Sequence, residues 1–199
     1  LKFTSDKKTL VTLIQPTMSA VSNKNTLPAL EGLLFSLKGD ELSVCGYDLE
    51  KGVKTVTSVR GAGDGEVILN AQKVFAIIRN FPDCDITFAA DEKNLVTISG
   101  GMSEFTVHGL GSESFPSLPT LGGDNKFTIS QSLLREIILS TNFAVAQTDG
   151  RPILTGQLFR LNGQSLTVAA LDNYRLAIRE EKHAVEGNTG DHSLSLIHI

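Results

Sequence analysis

Two aspartates close similar apolar runs, Asp48 in LSVCGYD and Asp172 in LTVAALD. Paired carboxylates can do general acid–base work only where they converge on one substrate. These two hold the same place in two separate stretches, so each is expected to accept backbone N–H bonds at its own strand end. Other catalytic chemistry is sparse. His108, His183, His192 and His198 stand apart, and none lies at ligand spacing from a cysteine or carboxylate. The chain has no H-E-x-x-H, G-x-S-x-G or G-x-x-x-x-G-K-[ST]. Cys45 and Cys84 form neither a C-x-x-C motif nor a disulfide framework. Cys45 has Ala169 as its counterpart, which suits a small buried residue better than a nucleophile. Gly100-Gly101, Gly109 and Gly111 fall between predicted strands, where glycines make turns rather than phosphate cradles. What remains is charge: Lys7, Lys8, Lys73, Arg79 and Arg135 lie on predicted helices. The acids gather elsewhere, as Glu41, Asp48, Glu50, Asp64, Glu66, Asp83, Asp85, Asp91 and Glu92.

The likeness around the aspartates extends without a gap at an offset of 124 positions. Lys2-Phe3-Thr4 falls on Lys126-Phe127-Thr128, Leu10 on Leu134 and Thr17 on Thr141. Pro28, Gly32, Leu34, Phe35, Gly39, Val44 and Asp48 meet Pro152, Gly156, Leu158, Phe159, Gly163, Val168 and Asp172. That period is too long for a solenoid and marks a duplicated domain.

Each copy must position those charges on elements of its own. Residues 6–21 read as a helix, with Asp6 as N-cap and Pro16 as an interruption. Residues 30–37 and 41–47 read as a hairpin around Lys38-Gly39-Asp40, 51–59 as a strand, 61–65 as a loop and 66–69 as a strand. Residues 71–81 form a second helix with Val74, Phe75, Ile77 and Ile78 inward and Lys73 and Arg79 outward. Residues 86–89, 95–99 and 104–110 read as a meander. The pattern is α+β, a unit of two helices on antiparallel sheets. The linker GSESFPSLPTLGGDN (111–125) separates a first domain, 1–122, from a second, 123–199, which repeats strand, helix 130–146, turn and hairpin and is incomplete. The closing LSLIHI (194–199) reads as a translated sequencing adapter, so it is expected to be a non-native tail.

With 199 residues, 41% of them hydrophobic and 20% charged, the chain has the composition of a globular protein of one or two domains. No apolar run approaches the ~18–20 residues of a bilayer span, the start lacks a signal-peptide core, and the free thiols suggest a cytoplasmic setting. A formal charge of −4 argues against wholesale coating of nucleic acid but allows one basic lining. No metal or cofactor is expected.

Particular stretches carry a resemblance: KFT at the start, NTLPALEGLLF (25–35), Tyr47-Asp48-Leu49-Glu50, FPSLP (115–119), FAVAQTDGRPILTGQLF (143–159) and LTVAALDNYRLAIRE (166–180). Through them the chain resembles the bacterial DNA polymerase III beta subunit family, the replicative sliding clamps, from residue 1 to about 190. The resemblance implies a DNA-clamp fold with three such units in a full chain, of which this sequence looks like the first and part of the second. It implies a head-to-tail homodimer that closes around double-stranded DNA and confers processivity without an active site. It implies DNA contacts by Lys24, Lys73, Arg79, Gln147 and Arg151. It also implies a cleft for short peptides of DNA polymerase and clamp-loader subunits, matching Leu154, Leu171, Asp172, Asn173, Tyr174, Arg175 and Leu176. Leu1, where the family has Met, suggests an alternative start codon. Two other readings compete: a hydrolase using Asp48 or Asp172, and a generic protein-interaction module without a DNA role.

Overall fold

A computed structural model describes residues 1–21, 27–119, 127–148, 150–182, 184–187 and 192–197, the last six and Gly187 by backbone alone. The chain forms two compact units, Leu1–Pro119 and Thr120–Ile199. The expected boundary at 122/123 lies outside the described residues.

Unit 1 begins with β1 (Lys2–Asp6) and α1 (Lys7–Thr17). The Asp6 side chain accepts the Thr9 N–H at 2.9 Å, capping the helix as expected. Pro16 sits in the last turn; the helix stops one residue later and a 3-10 turn, Met18–Ala20, follows. Proline offers no N–H to a continuing helix, so the end falls earlier than residue 21. A 3-10 turn, Pro28–Glu31, leads into β2 (Gly32–Lys38), β3 (Glu41–Tyr47), β4 (Gly52–Ser58), β5 (Arg60–Gly63) and β6 (Gly65–Asn70). Then come α2 (Ala71–Asn80), β7 (Asp85–Ala90), β8 (Leu95–Gly100) and β9 (Ser103–His108). Two sheets result, in the orders β5-β1-β7-β8-β9 and β4-β3-β2-β6. The glycine-rich 61–65 stretch, expected as a loop, starts as strand β5 along β1. Gly61 makes this possible: a Cβ there would fall 1.9 Å from the Gly39 carbonyl oxygen. Pairing of this kind is carried by main-chain bonds, which an apolar pattern does not announce.

One core serves both sheets and both helices. Phe3 and Phe35 flank Phe88 with centroids 4.9 and 5.9 Å away, and Leu10, Ile14, Val74 and Ile78 from the helices are fully buried around them. Phe75 and Ile77 pack at the margin of that core rather than inside it.

Unit 2 repeats the plan. β10 (Phe127–Thr128) pairs with β14 (Glu186–Gly187), and α3 (Gln131–Asn142) is capped by Ser130 and ends four residues short of the expected 146. β11 (Gln157–Asn162), β12 (Ser165–Leu171), β13 (Leu176–Glu181) and β15 (His192–Ile197) form a sheet in the order β13-β12-β11-β15. β15, which includes most of the hexapeptide expected as a foreign tail, takes beside β11 the place that β6 takes beside β2. The paired residues of the two sheets keep the 124-residue offset: Leu34 opposite Cys45 becomes Leu158 opposite Ala169, and Tyr47 opposite Gly52 becomes Leu171 opposite Leu176. The smaller core is built from Ile137, Phe159, Leu161, Leu166, Val168 and Val185.

Candidate functional sites: an apolar groove and basic helix faces

Strand parity decides what unit 2 shows to solvent. Along β11, Gln157, Phe159 and Leu161 point inward while Leu158, Arg160 and Asn162 point outward. Along β12, Leu166, Val168 and Ala170 are buried, leaving Ala169 and Leu171 on the outer face. β13 starts with Leu176 outward. An apolar corner therefore sits on the outer face, where alternation would place polar residues. The 3-10 turn Pro152–Thr155 adds Ile153 and Leu154. Together they line a groove of about 260 Å³ completed by Gly156 and Ala170. Its rims are well exposed, Leu158 by 38%, Leu171 by 45% and Leu176 by 61%. Burying such area drives association at roughly 25 cal/mol per Å².

The β12–β13 turn holds the rim in place. Asp172 Oδ1 accepts the N–H groups of Tyr174 (2.8 Å) and Arg175 (2.7 Å), and the Asp172 N–H donates to the Arg175 carbonyl. Arg175 returns two bonds to Asp172 Oδ2, from Nε at 2.9 Å and Nη2 at 2.7 Å. The bond from the Tyr174 N–H, followed by that from the Arg175 side chain, holds the Asp172 carboxyl below its ordinary range. Asp48 makes the same turn in unit 1, accepting from the Glu50 and Lys51 N–H groups. Burial alone would raise its pKa, but those two bonds outweigh it and the net shift is downward. Both aspartates are thus turn staples, as expected from their placement. Each carboxylate is committed to bonds within its own turn, a structural task rather than the paired one the hydrolase reading asks for.

Charge is sorted as well. α1 and α2 carry Lys7, Lys8, Lys73 and Arg79 and no acid. Lys8, Lys73 and Arg79 are exposed. The Arg79 guanidinium lies 5.7 Å from the centre of the Phe75 ring, one turn back on the same helix, which steadies its orientation. Lys7 instead donates to the Phe81 carbonyl at the end of α2. In unit 2, Arg135 is exposed on α3, while Glu136 beside it pairs with Arg179 at 3.0 Å.

Residues 1–119 match the family described as DNA polymerase III beta subunit, N-terminal domain, and residues 128–196 match its central domain. The chain belongs to the DNA polymerase III beta subunit family. A beta sliding clamp of Staphylococcus aureus is 31% identical over 188 residues, 90% of this chain and 50% of that protein, and one of Staphylococcus epidermidis is 29% identical. A Pseudomonas aeruginosa clamp solved with griselimycin superposes with a TM-score of 0.89 at 30% identity, covering 98% of this chain and 53% of that one. A beta subunit structure from Eubacterium rectale gives 0.88 at 26%. The chain spans about half the length of the relatives it matches.

Among the beta-family positions expected from the sequence, the structure gathers Leu154, Leu171 and Leu176 around one groove. Asp172, Asn173, Tyr174 and Arg175 form the adjacent turn rather than the lining, with Tyr174 94% exposed. Of the expected DNA contacts, Lys73 and Arg79 share α2, and Gln147 is exposed ahead of the Pro152–Thr155 turn. Arg151 does more than flank that loop: its Nη2 donates to Asn173 Oδ1 at 2.5 Å, joining the loop to the groove's turn. Lys24 lies outside the described residues. Sequence reasoning missed Ile153, Gly156, Leu158, Ala169 and Ala170. Parity could have found Leu158, an apolar residue in step with Arg160 and Asn162.

Proposed function

We propose that this chain is part of a replicative sliding clamp, a non-enzymatic processivity factor that encircles duplex DNA and tethers the DNA polymerase. The observation that carries the reading is the apolar groove on the outer face of unit 2, held open by a stapled turn, in a chain that aligns with beta clamps along 98% of its length. The groove suits the apolar side chains of a short peptide from polymerase or clamp-loader subunits. The basic faces suit duplex DNA held through its phosphates: Lys73 and Arg79, with Lys24, Gln147 and Arg151 as further contacts. Such binding is sequence-independent and salt-sensitive, which lets a ring slide. In this reading the parent protein works in the cytoplasm as a head-to-tail homodimer.

Anisotropy of a fluorescein-labelled polymerase-tail peptide tests the groove. Leu171→Asp with Leu176→Asp is expected to weaken capture by about tenfold or more, and unchanged affinity would end the assignment. For DNA, the slope of log K against log salt is expected to fall by about 1 for each of Lys73→Ala and Arg79→Ala. An unaltered slope removes those residues from the lining.

A further inference from the structure

The groove of unit 2 has a counterpart in unit 1 at the 124-residue offset, and that counterpart is covered. Leu158 and Ala169 correspond to Leu34 and Cys45, and Leu171 and Leu176 to Tyr47 and Gly52. Over this corner lies the segment Phe115–Leu118. Gly52 shows how closely: a Cβ there would stand 2.5 Å from Leu118 Cδ2 and 3.4 Å from Tyr47 Cδ2. The Leu118 side chain therefore occupies the space that Leu176 takes in unit 2. Leu34 and Tyr47 are half-buried where their counterparts are exposed, and Cys45 at the floor is only 5% exposed. The cover is incomplete, since a cavity of about 330 Å³ remains between the segment and the sheet, reached by Ser36, Lys54 and Glu66.

The segment is also lightly held. Its Phe115 N–H donates to the Ser112 carbonyl, a local bond, and among the described residues no hydrogen bond joins residues 116–118 to the sheet. Among the described residues it is side-chain packing that keeps it down, and segments with few buried contacts and little main-chain anchorage open at low cost.

We propose that the outer face of unit 1 is a second peptide groove, closed by the chain's own Phe115–Leu118 segment, which accepts a short Phe-Pro-x-Leu type peptide when that segment lifts. The resident segment states the chemistry of the occupant: a leucine over Gly52, with a proline and an aromatic ring two and three positions earlier. The comparison rests on the reading of the unit 2 groove as a peptide site. The readout below lies in unit 1 alone, so either reading can fail while the other stands.

Cys45 is the reporter. Burial pushes its thiol above the ordinary range, so it reacts slowly while covered. The rate of Cys45 alkylation by N-ethylmaleimide, mapped by mass spectrometry, is compared in the unaltered chain, in Leu118→Ala and in Gly52→Ala. Each variant is expected to speed Cys45 labelling about tenfold by favouring the open segment. In Leu118→Ala, where Gly52 still leaves room for a leucine, a synthetic peptide of residues 112–119, SESFPSLP, at millimolar concentration is expected to slow it again in saturable fashion, whereas in Gly52→Ala the added Cβ should deny it the site. Cys84, partly exposed elsewhere in unit 1, is the internal control and is expected to keep its rate. Unchanged Cys45 labelling in both variants, failure of the peptide to protect Leu118→Ala, or acceleration of Cys84 in step with Cys45 would each overturn the proposal.

Discussion

The two turns that follow β3 and β12 share one backbone device and display different surfaces. In both, the aspartate N–H donates to the carbonyl three residues on, at 3.1 Å for Asp48 and 3.0 Å for Asp172, and Oδ1 accepts the N–H groups two and three residues on. The side chains then diverge. Lys51 stands 3.5 Å from Asp48, whereas Arg175 grips Asp172 with two bonds. The next strand opens with Gly52 in one case and Leu176 in the other. A duplicated fold thus keeps its staple for stability, while the surface beside it sets which unit presents an open groove.

The largest expected effect separates the two cores. Phe88→Ala removes the middle ring of a three-phenylalanine stack and is expected to cost about 3–5 kcal/mol, read as a lower urea midpoint for unit 1. If unit 2 probes shift equally, the units do not melt separately and the comparison of their cores breaks. At the turn beside the groove, Tyr174→Ala with Arg175→Ala is expected to reduce capture of a polymerase-tail peptide several-fold, about 1 kcal/mol, without unfolding. Unaltered capture would confine recognition to the leucine lining.

Gln157 sharpens the same contrast. It is fully buried, its Nε2 donates to Thr141 Oγ1 and the Ile138 carbonyl, and its Oε1 has no partner among the described residues, while its counterpart Leu33 is plain core. Gln157→Leu is expected to raise the stability of unit 2 by about 1 kcal/mol, the scale of an unmet buried acceptor, and a loss in the melt would show that the bonds to α3 matter more. A smaller gain is expected at Leu49, which has φ +77 and is half exposed. Leu49→Gly relieves a left-handed conformation and should add about 0.5–1 kcal/mol, read as a higher melting temperature. The smallest effect is on pH. Both staple carboxyls are held below their ordinary range. Their contribution is present above the unfolded carboxylate pKa, about 3.9, and is lost as pH falls through the lower folded values. Amide protection at Lys51 and Arg175 should therefore fade below that window, and in Asp48→Ala the Lys51 signal should be weak at every pH.

Much of this was legible because it is written twice. The gap-free offset located the hairpins, and the repeated strand-end aspartates announced the staples. Asp6 followed from helix-capping chemistry. Strand β5 stayed hidden because Gly61–Gly63 pairs through main-chain groups without an apolar signature. The groove was read through its turn, DNYR, while most of its lining is ordinary aliphatic residues whose meaning depends on which face of the sheet they occupy. The contact of Leu118 with Gly52 joins residues far apart in sequence, and no local pattern encodes it.

The bond from the Lys7 ammonium to the Phe81 carbonyl has a consequence for electrolyte titrations. A cation tied to the end of a neighbouring helix does not reach a phosphate, so it displaces few of the counterions condensed on a polyanion. Under the proposed clamp reading, Lys7 should therefore be silent beside Lys73 and Arg79 in the salt slope, and Lys7→Met should lower heat resistance while leaving that slope as it was.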